Sequence, residues 1–183
     1  MSRIVATEYL SLDGVFEEPG HWSFPFWSDE AARFKFDELF ASDSLLLGRK
    51  TYEGFAAAWP TMTDEAGFSD RMNGLPKYVV STTLDNAEWN NSRLIKENVV
   101  DEIARLRREP GQDILLAGSG QLLHTLLQNK LVDELRIMLH PIVLGSGARL
   151  FQDGIDRTAF KLSGTQTFDS GIVILHYEPR ARE

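Results

Sequence analysis

From Ile4 to Leu10 the chain alternates loosely between apolar and polar residues and carries β-branched and aromatic side chains, and Ser11-Leu12-Asp13-Gly14 then supplies turn chemistry. This predicts a strand followed by a loop. The next segment, EEPGHWSFPFWS over 17–28, holds two prolines and four aromatic residues with neither a helical nor a strand period, which reads as a packed loop. Ser28 or Asp29 is placed to cap a helix in which Ala32, Phe36, Leu39 and Phe40 fall at i, i+4, i+7 and i+8. Ser44 to Leu47 is a short apolar strand that runs through Gly48-Arg49-Lys50-Thr51 into a helical YEGFAAAW ending at Pro60.

A polar loop is expected from Thr61 to Pro76, then a strand in KYVVST and a short one at Arg93 to Ile95. Val99, Ile103 and Leu106 repeat as one helix face, stopped by Pro110-Gly111. DILLAGSG is a buried-type strand ending in glycines, and Leu122, Leu123, Leu126 and Leu127 line a further helix. The last third differs: ELRIMLHPIVLG alternates, Gly145-Ser146-Gly147 breaks it, and FKLSGTQTF and GIVILHY flank an Asp169-Ser170-Gly171 turn. Pro141 inside the alternating run argues for an edge or a bulge there, because proline cannot donate to a ladder. Strand and helix units followed by a hairpin predict an α/β fold with a mostly parallel central sheet, helices on its faces and an antiparallel C-terminal hairpin.

Composition narrows the function. The 27 acidic residues against 19 basic ones leave a net charge of −8, which disfavours a nucleic-acid surface. With no cysteine there is no disulfide, thiolate metal site or cysteine nucleophile. No apolar run is long enough for a membrane span or signal peptide, and a cytoplasmic protein of one domain over 1–183 is expected. His21, His124, His140 and His176 are scattered without metal-ligand spacing, and His140 reads as a polar anchor on a strand. The serines beside glycine make no G-x-S-x-G, and the Arg105 to Arg108 cluster reads as a helix end facing water.

The candidate chemistry sits at two strand-to-helix junctions. Unsatisfied N–H groups and the helix dipole favour an anion there, and glycine lets a phosphate approach the backbone. In LLLGRKTYE, Gly48 opens the turn, Arg49 forks onto phosphate oxygens and Thr51 adds a hydroxyl; in LLAGSGQLL, Gly118, Ser119 and Gly120 start the helix. Two phosphate-sized sites suggest a dinucleotide. A Rossmann fingerprint is absent, since Leu123 stands where the third glycine belongs, and so is a P-loop.

The opening strand leading into SLDG, GRKTYE after the second strand, VVST after the third and AGSG before the following helix together resemble the dihydrofolate reductase-like superfamily. Closer still are the reductases of riboflavin biosynthesis, in which LDG, WSFPFWSDE, GRKTYEGF and LHPIVLGSGARLF recur in this order, so the resemblance spans nearly the whole chain. It implies that Gly48, Arg49 and Thr51, with Lys50 beside them, hold NADPH phosphates. Ser81 and Thr82 then lie by the adenosine, and Gly118, Ser119, Gly120 and Gln121 face the pyrophosphate and nicotinamide. The choice of NADPH over NADH rests mainly on Arg49. Ser119 stands where related reductases carry a second glycine at a cis peptide.

Hydride transfer also calls for a proton donor, and a carboxyl in an apolar setting is suited to that role. Asp29 and Glu30 open the first helix, and the resemblance places an active-site acid near them, with Glu30 the better match; both equally suit a helix start. Asp13 in SLDG is the other candidate, or an ordinary Asp-Gly turn. Trp22 and Phe55 are the aromatics expected to face a flat substrate. The resulting expectation is an NADPH-dependent reductase of a small heterocycle, with 5-amino-6-(5-phosphoribosylamino)uracil the first substrate to consider and no metal, nucleic-acid or membrane partner. Dihydrofolate reduction and a non-catalytic nucleotide sensor are the alternatives. The resembling family forms dimers, so a homodimer is expected, with ELRIMLHPIVLG a possible shared edge.

Overall fold

The computed structural model describes residues 1–180; the last three positions of the expected 1–183 span lie outside it. Eight strands form one sheet: β1 (Ile4–Leu10), β2 (Ser42–Gly48), β3 (Lys77–Val80), β4 (Ser92–Ile95), β5 (Asp113–Leu116), β6 (Glu134–Leu139), β7 (Phe160–Thr167) and β8 (Val173–Pro179). Their spatial order is β4-β3-β2-β5-β1-β6-β8-β7. Every pairing from β4 to β6 is parallel, whereas β8 runs antiparallel to both β6 and β7. The helices are α1 (Asp29–Phe40), α2 (Arg49–Ala58), α3 (Phe68–Gly74), α4 (Val99–Arg108) and α5 (Gly120–Gln128). This is the mostly parallel, helix-flanked sheet with an antiparallel C-terminal pair that the pattern predicted.

Each parallel connection crosses over through a helix or long loop because parallel strands cannot be joined by a tight turn. Ile4, Ala6, Leu46, Ile114 and Leu116 pack against Ile103 and Leu106 of α4 and Leu122, Leu123 and Leu126 of α5. Val5, Leu45, Leu47, Val79 and Leu115 form a second core with Leu39 and Tyr52. Both faces of the central strands are thus covered, as a parallel sheet requires. Among the described residues no helix is long and apolar enough to cross a membrane.

Four expectations need correction. The 61–76 segment contains α3, whose first N–H groups, those of Phe68 and Ser69, donate to the Asp64 carboxylate at 2.9 and 2.6 Å. It buries only Ser69 and Met72, too few apolar positions to show a period. The strand in KYVVST stops at Val80, so Ser81 and Thr82 belong to the following loop. Pro141 lies beyond the end of β6, and β6 is an interior strand between β1 and β8, so ELRIMLHPIVLG supplies no sheet edge; the edges are β4 and β7.

The fourth correction concerns α1. Ser28 is its cap, its hydroxyl accepting from Ala31 N at 3.2 Å, but of the expected apolar stripe only Leu39 is buried. Phe36 and Phe40 stack on each other at 4.1 Å between centroids, and Phe40 is 39% exposed. The side turned inward carries Ala31, Lys35, Glu38 and Leu39. Lys35 Nζ donates to Glu38 Oε2 and, at 3.2 Å, to Thr7 Oγ1. Glu38 also accepts from Arg136 Nη1 at 3.4 Å, and Arg136 Nε donates to Glu134 Oε1 at 2.7 Å. Beside the apolar contacts of Ala31 and Leu39, a cluster of charges occupies the space between α1 and the sheet, which a helical-wheel argument does not anticipate.

Candidate active site

β2 and β5 are neighbours, so their C-terminal turns meet. Gly48 N donates to Gly118 O at 2.8 Å, and the helices that follow, α2 from Arg49 and α5 from Gly120, begin side by side. The contact has no spare room. A Cβ at Gly48 would lie 2.6 Å from Ser119 Oγ and 2.8 Å from Ser119 N, and one at Gly118 would lie 2.7 Å from Thr51 Oγ1. Gly118 has φ +118, in the region that favours glycine. The Gly118–Ser119 peptide is cis, and Ser119 caps α5, its hydroxyl accepting from Leu122 N at 3.3 Å. Phe16 lies over Gly120, with its ring edge 2.8 Å from where a Cβ would be.

The structure therefore brings Gly48, Thr51, Gly118, Ser119 and Gly120 together, and this meeting of two helix starts is chemically suited to a phosphate-bearing ligand. Lys50 and Gln121 are exposed at its rim. Arg49 is exposed at the first position of α2, where its guanidinium pairs with Glu53 at 3.1 Å. A surface pair of this kind is worth under about 1 kcal/mol, so Glu53 is easily exchanged for a phosphate. Ser81 is buried and its hydroxyl accepts from Thr83 N at 3.2 Å and Leu84 N at 3.1 Å, which ties it into its own turn, while Thr82 is exposed. A Gly48→Ala variant is expected to fold yet lose at least about tenfold in dinucleotide affinity, because the Ser119 backbone must shift to admit the methyl. Circular dichroism and NADPH fluorescence titration check the two parts separately.

The acids lie elsewhere. Asp29 and Glu30 are both exposed at the start of α1, and Glu30 Oε1 accepts from Asp169 N at 2.9 Å, pinning the helix to the β7–β8 turn. Asp13 accepts from Ser11 Oγ at 2.6 Å, Gly145 N at 2.8 Å and Leu144 N at 3.1 Å. These bonds, the Ser11 hydroxyl foremost, hold its carboxyl well below the usual carboxylate range. Asp13 is thus an ionised clamp between the SLDG turn and the 144–145 loop and has no proton to give at neutral pH.

Trp22 and Phe55 are not brought together. Trp22 is buried, its indole N–H donating to Glu17 O at 2.9 Å and its ring meeting His140 edge-on at 5.1 Å. Phe55, half-buried on α2, packs beside Trp59 against the core. His140 itself is fully buried at the end of β6 among Tyr9, Trp22 and Phe26. Its Nδ1 bonds Met138 O at 2.9 Å and its Nε2 has no partner, so it is only half the satisfied anchor expected of it. Burial pulls its pKa down and keeps the ring neutral.

One carboxyl was missed. Glu8 lies near the C-terminal end of β1, 5% exposed, and burial pushes its pKa up to about 8, against a smaller downward pull from Lys35. Its Oε1 is buried without any hydrogen-bond partner. The available signal was a carboxyl within a strand destined for the middle of a sheet covered on both faces.

A sheet of this order, with glycine junctions meeting at the β2 and β5 ends, defines a dihydrofolate reductase-like α/β protein. Residues 3–174 match the RibD C-terminal domain family, and the chain belongs to it. It is 35% identical over 144 residues to YyaP of Bacillus subtilis strain 168, which covers 77% of this chain and 76% of that protein. Among solved structures, a putative riboflavin biosynthesis protein from Shewanella sp. PV-4 superimposes with a TM-score of 0.79 at 21% identity, covering 98% of this chain and 99% of that one. Dihydrofolate reductase from Enterococcus faecalis, complexed with NADP(H), gives 0.64 at 16% identity, over 98% of this chain and 97% of that one.

Proposed function

We propose that the protein is an NADPH-dependent reductase that transfers hydride to a small heterocycle. The observation that carries this is the abutment of the α2 and α5 starts through Gly48 and Gly118, which sets two anion-favouring helix ends side by side. Membership of the RibD C-terminal domain family, and a fold shared with a reductase seen with NADP(H), support the cofactor class. Gly48, Thr51 and Gly118 to Gly120 are the residues that would hold it, and it would supply the hydride.

Arg49 is the only basic side chain at the first turn of α2 besides Lys50, and it is the group we assign to the 2′-phosphate that separates NADPH from NADH. Replacing Arg49 by Met is expected to weaken NADPH binding about tenfold, the loss of one hydrogen bond to a charged group, and to leave NADH unchanged. Equal weakening of both cofactors would remove Arg49 from this role.

The substrate class is narrowed by the fate of four cations. Arg33 pairs with Asp37, Lys35 with Glu38, Arg71 donates to Ser42 O at 2.5 Å, and Lys77 Nζ donates to the carbonyls of Asn73, Leu75 and Asn90 at 2.9, 2.8 and 2.9 Å. Three of the four are engaged within the fold, and only Arg33, whose exposed pair with Asp37 is as exchangeable as that of Arg49, is open to a substrate phosphate, which weighs toward a heterocycle without one over 5-amino-6-(5-phosphoribosylamino)uracil. The test is to follow NADPH absorbance with that uracil, with its dephosphorylated riboside and with dihydrofolate. Oxidation by the riboside supports the reading; NADPH binding without turnover on any heterocycle favours a sensor.

A further inference from the structure

Among the described residues, five buried side-chain atoms lack a hydrogen-bond partner: Glu8 Oε1, Arg71 Nε, Ser92 Oγ, His140 Nε2 and Ser170 Oγ. Glu8 is the one carboxyl among them, and no described hydrogen bond reaches either of its oxygens. A carboxyl with one oxygen sealed from water and unpaired is costly in either form and far more so when ionised, so its retention in the middle of a sheet calls for a reason beyond packing.

Its position is fixed by register. β1 pairs with β5 as Ile4↔Ile114, Val5↔Leu115 and Ala6↔Leu116, and carrying that offset two residues further brings Glu8 level with Gly118. Alternation puts Thr7 and Tyr9 on the α1 side, where Lys35 Nζ reaches the Thr7 hydroxyl and lies 5.4 Å from the Tyr9 ring centroid. Glu8 therefore shares the opposite face with Ile4, Ala6 and Leu10, the face that packs against α5. Ligands in open α/β sheets bind at the C-terminal ends of the strands, where β1, β2 and β5 here converge.

We infer that Glu8 is the proton donor of this site, its carboxyl passing a proton to the nitrogen or oxygen of the substrate double bond whose carbon takes the hydride. This rests on the reading of the two helix starts as a reduced-nicotinamide site. In the step, a hydride with its electron pair leaves the reduced dinucleotide for the substrate carbon, and the π electrons of the C=N or C=O bond move to the heteroatom. The heteroatom takes the Glu8 proton as the O–H bond breaks, leaving an oxidised cofactor and a Glu8 carboxylate that water reprotonates. Burial keeps that proton in place to about pH 8, and Lys35, on α1 across the sheet, is the charged group that opposes it. Asp29 and Glu30 are exposed at the start of α1, and Asp13 is held ionised by its hydrogen bonds.

Infrared difference spectra of the wild type against Glu8→Gln test the inference directly. At pH 7 the wild type should show the carbonyl stretch of a protonated carboxylic acid that Glu8→Gln lacks, fading with a midpoint near pH 8. Saturating NADP+ should move the band or its midpoint. On a substrate that oxidises NADPH, Glu8→Gln should lower kcat by about 10²–10⁴-fold and abolish the fall in rate above pH 8, while NADPH affinity stays within about threefold. Glu8→Asp should recover part of kcat. No acid band at pH 7, a band indifferent to bound NADP+, or full turnover by Glu8→Gln overturns the inference and leaves the cofactor reading standing. If the wild type binds no dinucleotide by tryptophan quenching, the cofactor reading falls first and takes this one with it.

Discussion

Replacing Glu38 by alanine is expected to destabilise the protein by about 3–5 kcal/mol, read as a lower urea midpoint with an unchanged slope. The Glu38 side chain is 1% exposed and accepts from both Lys35 and Arg136. Removing it strands the Lys35 ammonium, whose pKa burial draws down but Glu38 and Tyr9 bring to a net rise. Arg136 would fare better, since Glu134 still engages it at 2.7 Å. Burial works against ionisation of Glu134, but the bonds from His176 and Arg136 prevail and bring its pKa down to about 2. Glu38→Leu with Lys35→Met, removing the closest pair together while Arg136 stays with Glu134, should recover most of the loss. Unpaired burial, not the missing attraction, is the source of the cost.

The second large effect is a pH dependence. Glu8 has its folded pKa raised from an ordinary 4.5 to about 8, so the native state keeps a proton that the unfolded chain releases. Its favourable contribution is complete below pH 4.5 and is lost as the pH rises toward 8. At pH 7 the loss is about 3 kcal/mol, from about 1.4 kcal/mol per unit over some two and a half units. Glu8→Gln removes this slope. The stability difference between variant and wild type should therefore move in favour of the variant by about that amount between pH 4.5 and pH 7, measured by urea unfolding at each pH. A difference that stays flat would mean that Glu8 is ionised and solvated in the folded protein.

The junctions at Gly48 and Gly118 were legible in the sequence because strand-ending glycines before amphipathic runs are local signals, and the strand order then brings them side by side. The parallel body and the antiparallel end were legible for a similar reason, through the spacing of apolar runs and turns. What the sequence concealed is where charge goes inside. Of the expected stripe Leu39 alone is buried; Ala32, Phe36 and Phe40 look like its companions only if the interior under α1 is all hydrocarbon, and Lys35 and Glu38 look like its wet side for the same reason. Glu8 was hidden by the same assumption, since IVATEYL alternates enough to suggest a strand with one face in water, whereas β1 ends up between β5 and β6 with helices on both sides. Asp29 and Glu30 drew attention because they sit at a helix start, which is also where an acid is most often exposed.

Lys77 offers a different kind of consequence. Its ammonium, fully buried under three carbonyls and 4.2 Å from the Trp89 ring centroid, has its pKa drawn down by burial to about 8, while Lys161 on β7 stands in water. An amine-directed acylating reagent will modify Lys161 at once and Lys77 only when the β2–β3 half of the sheet breathes open, so the ratio of the two adducts is an internal clock for that opening.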